Sequence, residues 1–97
     1  MNIIKDYYII HRDKFGKVLK MSGPYFTFKD AIRQVSFMYS NFERIIKVYE
    51  QNFIYLNENS EEIEVKILYN SPEHVCGLRS DDPRIMEQLM QMRRGWT

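Results

Sequence analysis

Two histidines and one cysteine make the search for nucleophiles and metal ligands nearly exhaustive in this 97-residue chain. His74 and Cys76 stand two apart in Glu73-His74-Val75-Cys76-Gly77, so an extended backbone points both side chains the same way. Such a pair suggests a His-activated thiolate, or half of a zinc site completed by His11 and an acid. No second CxxC or HxxxH element accompanies it, whereas structural zinc sites use paired ligands. The ordinary reading, a loop cysteine behaving as a small hydrophobe, is therefore the expected one. Carboxylates gather at Glu58, Glu61, Glu62 and Glu64, and again at Asp81 and Asp82, a supply suited to acid–base work or to magnesium. Solvation of a strand turn accounts for the first group and helix capping for the second. Gly16, Gly23, Gly77 and Gly95 stand alone and build no phosphate-cradling loop. No catalytic residue, metal or cofactor is assigned, and the chain is not expected to be an enzyme.

The elements that carry these residues follow from local pattern. Lys5 to Arg12 and Lys17 to Met21 are rich in Tyr, Ile and Val around the turn Asp13-Lys14-Phe15-Gly16, which predicts a β-hairpin broken at Ser22-Gly23-Pro24. Thr27 with Asp30 three residues on has the form of a helix start. Phe28, Ala31, Ile32, Val35, Met38, Tyr39 and Phe42 then recur at helical spacing, predicting an amphipathic helix of about three turns. Arg44 to Glu50, Phe53 to Asn57 and Glu62 to Tyr69 read as a three-stranded meander. Asn70 to Ser80 is expected to be loop, and Asp81-Asp82-Pro83 opens a C-terminal helix that Arg93, Arg94 and Gly95 close. The order ββα-βββ-α predicts a single α+β domain over residues 1–97, with one mainly antiparallel sheet, a central amphipathic helix and a C-terminal helix.

Two surfaces carry more content than any catalytic motif. On the first helix, 100° steps place Phe37 opposite Phe28, among Arg33 and other polar residues, where the core stripe does not explain a large aromatic ring. In the meander, if Ile46, Val48, Ile54 and Leu56 face that helix, then Ile45, Lys47, Tyr49, Phe53 and Tyr55 face the other way as an aromatic, partly basic surface. Ile85, Leu89, Met92 and Trp96 form a stripe on the C-terminal helix that suits it to cover this surface. Otherwise that helix packs elsewhere or against another subunit, as in a homodimer, and the aromatic sheet face becomes a binding surface. Phe37, Arg33, Tyr49, Phe53, Tyr55, Lys47 and Trp96 are the candidate partner-binding residues.

Fourteen basic side chains against thirteen acidic leave a net charge of +1, without the excess expected of a general nucleic-acid binder. Residues 1–52 hold nine basic and five acidic side chains, +4, and residues 53–97 five and eight, −3. A lone cysteine and no long apolar run predict a soluble protein of a reducing, cytoplasmic compartment with no membrane association. Val18-Leu19-Lys20-Met21-Ser22-Gly23-Pro24-Tyr25, followed by Thr27 and Ala31, resembles the strand, Gly-Pro-aromatic and helix opening of SPOR-type peptidoglycan-binding domains. It covers about a dozen residues and lacks that family's second strand-helix repeat, so no activity is carried over. The short chain rich in Ile, Asn, Lys and Tyr is also similar to small accessory proteins of bacteriophages, which commonly bind and inhibit or redirect one host protein. The function expected is a non-enzymatic protein-interaction module. Its alternative is a single-stranded nucleic-acid binder in which Tyr49, Phe53 and Tyr55 stack bases while Lys20, Lys47, Arg12 and Lys14 neutralise phosphates.

Overall fold

A computed structural model describes residues 6–49 and 51–94; Lys5, Gly95 and Trp96 lie outside the described residues. The hairpin forms from β1 (Tyr7–Asp13) and β2 (Val18–Tyr25). Its turn is held by the Asp13 carboxylate, which accepts the N–H groups of Phe15 and Lys17, each at 2.9 Å. Gly16 supplies the positive φ of 84° that the turn requires. Helix α1 (Phe28–Asn41) starts as predicted, with the Thr27 hydroxyl accepting the Asp30 N–H at 3.1 Å. Strands β3 (Ile45–Val48), β4 (Asn52–Leu56) and β5 (Glu62–Tyr69) are the meander. The Asn57 side chain organises the second meander turn by accepting the N–H groups of Asn59 and Glu61 at 2.9 Å. The expected loop contains one helical turn, α2 (Pro72–Val75), before α3 (Pro83–Arg94). Proline at the first helical position explains its start.

The strands form one five-stranded sheet in the order β2-β1-β5-β4-β3, with every neighbouring pair antiparallel, so the α+β expectation holds. A helix lies on each face. Below α1 are Ile9, Phe53 and Val65, ringed by Tyr25, Val35, Met38, Phe42, Ile45, Tyr55 and Ile67. On the other face, Ile85, Leu89 and Met92 of α3 pack on Tyr8, Ile10, Val18, Leu68 and Val75. Strand β1 is thus buried on both sides, which is why Tyr8-Ile9-Ile10 is a continuous apolar run. Arg93 Nη2 donates to the Leu78 carbonyl at 3.0 Å and ties the end of α3 to the loop after α2.

Two expectations are corrected here. Strand β2 continues through Ser22-Gly23-Pro24 to Tyr25. It is an edge strand, where proline leaves no ladder donor wanting, and Gly23, at φ 124°, passes so close to β1 that a Cβ would stand 2.9 Å from the Tyr7 carbonyl oxygen. The second correction concerns the meander's faces. Phe53, Tyr55 and Ile45 lie under α1 and do not form an outer surface. Nor does α3 cover them, because it covers the opposite face at β1 and β2. In β3 the pairs Ile45–Tyr55 and Lys47–Ile54 leave Ile46 as an extra residue. That bulge breaks the strict alternation on which the sequence assignment depended and puts Ile45 and Val48 on one face.

Candidate functional site

Strand β3 ends the sheet, and its outer side is open among the described residues. Helix α1 packs chiefly over β1, β5 and β2, and along β3 Val48 stays 61% exposed. Between them runs a groove of about 230 Å³, lined by Ile32, Val35 and Tyr39 of α1 and by Val48, Tyr49 and Phe53 from the sheet side. That volume is below the roughly 300–1,000 Å³ of sites for small organic ligands and suits inserted side chains. On its sheet side Val48 is 61% and Tyr49 49% exposed, with Gln51 and Asn52 beside them, and Ile46, farther along β3, is 44% exposed.

The backbone of this edge has a defined polarity. Tyr49 N–H donates to the Asn52 carbonyl at 2.7 Å, making Tyr49–Asn52 a hydrogen-bonded pair. Alternation in an antiparallel ladder makes the next pair, Val48–Phe53, the open kind, so the Val48 N–H and C=O point away from β4. At the other end of β3, Arg44 is engaged, its guanidinium donating to the Asn57 carbonyl at 2.9 Å and to the Ser60 hydroxyl at 3.0 Å. Lys29, Arg33 and Lys47 are exposed and make no ion pair among the described residues.

Of the residues singled out from sequence, Tyr49 and Lys47 therefore meet at the β3 edge, with Arg33 on α1. Phe37 is 60% exposed on the outer side of α1, away from the sheet, as its helical angle predicts. Phe53 is 1% exposed and edge-on to Tyr39, while Tyr55 is half-buried, stacked on Phe42 at 4.1 Å at the far end of α1, so the two do not form an exposed platform with Tyr49. Trp96 lies outside the described residues. Ile32, Tyr39 and Val48 were missed; Ile32 and Tyr39 read as core stripe, and their departure from it depends on where α1 stops covering the sheet.

A second recess, of about 740 Å³, opens at the far end of α1 beside His11, Lys20, Phe42 and Tyr55. His11 is 7% exposed, with Nδ1 3.4 Å from the Tyr55 hydroxyl. Burial, with a smaller contribution from the Lys20 charge across the strand pair, pushes its pKa down to about 4. Burial also raises the Tyr55 pKa. A histidine this acidic is neutral at pH 7 and a weak general base there. His11 pairs with Val65, while His74 lies beside Tyr69, four residues along β5, roughly 13 Å at the rise of a strand. The zinc arrangement of His11 with His74 and Cys76 is thus not assembled, and among the described residues no group of three or more His, Cys, Asp or Glu is placed to hold a metal ion. Three of the six carboxylates singled out have structural partners: Glu64 with Arg12 at 2.7 Å, Asp81 with Lys17 at 2.8 Å, and Asp82 accepting the Arg84 N–H at the start of α3.

The low pKa of His11 has a measurable consequence. The unfolded chain takes up this proton near pH 6.5, the folded chain near pH 4, so stability is unaffected by this group above pH 6.5 and falls as pH drops through that window, by about 3 kcal/mol in full. Urea unfolding at about pH 7 and pH 4.5 should show most of this loss, about 2.5 kcal/mol, in the parent and a smaller one in His11→Leu. Equal losses in the two chains would refute it.

Comparison with known protein families, with curated proteins and with solved structures gave no match. The open β3 edge and its groove are accordingly the feature from which function is argued.

Proposed function

We propose that the chain is a non-enzymatic protein-interaction module that docks a partner protein along the β3 edge and the adjoining side of α1. The observation that carries this reading is the unpaired strand edge bordered by exposed Ile46, Val48 and Tyr49 and backed by an apolar groove. Interfaces favour such aromatic and aliphatic anchors beside arginine. The accessory-protein role, binding and inhibiting or redirecting a host protein in the cytoplasm, belongs to the same proposal. Among the described residues no helix is long and apolar enough to cross a membrane. The nucleic-acid alternative has less support, because of its three stacking rings only Tyr49 is exposed and its Arg12 is paired with Glu64.

The test is capture from the source cells with identification by mass spectrometry, with and without nuclease. A protein retained through nuclease treatment and lost several-fold with Tyr49→Ala is expected; disappearance of all captured material with nuclease overturns the reading. Phe37→Ala extends the test to the outer side of α1. Its ring is exposed, so stability should change by less than about 0.5 kcal/mol, while capture weakens if the partner wraps the helix. A loss of several kcal/mol in stability would mean that the ring is part of the core.

A further inference from the structure

We infer that α1 is a detachable layer: it lifts from the sheet as a unit while β1, β5 and α3 stay folded, and protonation of His11 drives it off. Packing on the two faces of the sheet is unequal. On the α3 face eight apolar side chains are buried together, three of them from α3 itself. On the α1 face the buried set is Ile9, Phe53 and Val65, all from strands, and α1 fully buries only Ala31, with Val35 and Met38 half-buried. Ile32 and Tyr39 remain 38% and 43% exposed. Polar contacts do not fasten the helix either. The Ser36 and Ser40 hydroxyls donate to carbonyls of their own helix, Ile32 at 3.1 Å and Phe37 at 2.7 Å. Among the described residues no side-chain hydrogen bond or ion pair joins α1 to the sheet. Its last turn carries no cation to answer the carbonyls there, whereas Arg93 and Arg94 stand in the last turn of α3. An element with few buried side chains and no polar tether opens at lower free energy than the core around it.

His11 couples this opening to pH. It projects from β1 onto the α1 face, 7% exposed, and Phe42 at the C-cap of α1 lies over it with 6.4 Å between ring centroids. Lys20 faces it from β2, Tyr55 from β4 and the uncharged Val65 from β5. Glu43, Arg44, Glu58, Asp82 and Arg84 line the two recesses that His11 borders, and among the described residues its ring is hydrogen-bonded to Tyr55 alone. An imidazolium enclosed there loses its water and meets the like charge of Lys20. Lifting α1 carries Phe42 away and returns water to the ring. Acid therefore favours the lifted state. For a ring that regains its ordinary pKa of 6.5 from about 4, the lifted population rises about 30-fold between pH 7.5 and pH 5. The release uncovers Ile9, Phe53 and Val65, an apolar face that the closed chain conceals.

Native-state hydrogen exchange on the intact chain tests this, with each rate divided by that of the unstructured amide, at pH 7.5 and pH 5 and in low urea. Amides from Val35 to Ser40 should be at least tenfold less protected than those of Ile10 and Leu89. Their exchange should also depend less on urea, because lifting one helix exposes less surface than unfolding the chain. Going to pH 5 should lower α1 protection in the parent by about tenfold or more beyond the change in His11→Leu or His11→Gln, neither of which titrates at this position. Protection of α1 equal to that of Leu89 at every urea concentration would make the chain one cooperative unit and overturn the inference. An acid-induced loss of α1 protection that is the same in the parent and the variants would overturn it too, since His11 would then not be the trigger.

Discussion

A chain ending at Asp82 should not fold. Helix α3 contributes Ile85, Leu89 and Met92 to the face formed by Tyr8, Ile10, Val18, Leu68 and Val75. Burial of each such side chain is worth about 1.5–3 kcal/mol, so the three from α3 alone bring on the order of 5–9 kcal/mol, comparable to the roughly 5–15 kcal/mol total stability of a small domain. The exposed sheet face would add to the loss. The Arg93 hydrogen bond to Leu78, which fastens the loop after α2, would go too. The truncated chain should lack a cooperative thermal transition and should bind a hydrophobic dye or aggregate. Leu89→Ala, a gentler version, should cost about 2–5 kcal/mol in urea unfolding while leaving the fold intact. A soluble truncated chain with a sharp transition would show that α3 belongs on another molecule.

The hairpin, α1 and its Thr27 cap, the meander and α3 were legible because each rests on local chemistry. Asp13 and Gly16 make their turn within five residues, and Thr27 reaches only as far as Asp30. Which helix covers which face was not legible. In β4 both alternating sets are apolar, Phe53 and Tyr55 against Ile54 and Leu56, so a period of two says that faces exist without saying which is inner. The arbiter is pairing with β5, which sets Phe53 beside Val65 on the face that α1 covers, and the bulge at Ile46 then brings Val48 to that face as well. The same limit applies to the site. Tyr49, Lys47 and Arg33 were visible as surface residues, but the groove depends on α1 stopping short of β3. That is a matter of where Ala31, Val35 and Phe42 find the sheet, and no single segment encodes it.

The reassignment of Phe53 leads to the largest point-mutation effect expected in the chain. Its ring meets Tyr39 edge-on at 5.6 Å, Phe42 at 5.6 Å and Tyr55 at 6.3 Å, beneath α1 and 1% exposed. Truncation to alanine removes that burial and leaves a cavity among rings that cannot close it, for a cost of about 3–5 kcal/mol. At roughly 4–8 °C per kcal/mol for a domain of this size, the thermal midpoint should fall on the order of 12–40 °C. Phe53→Leu keeps most of the volume and should retain most of that stability, showing that packing and not ring chemistry is at stake. Had Phe53 faced solvent as a base-stacking platform, Phe53→Ala would have left stability within about 0.5 kcal/mol while weakening single-strand binding. Urea unfolding of the three chains, with titration of a labelled oligonucleotide on each, separates the two arrangements: a stable Phe53→Ala chain with impaired oligonucleotide binding would return the ring to the surface and restore the nucleic-acid reading.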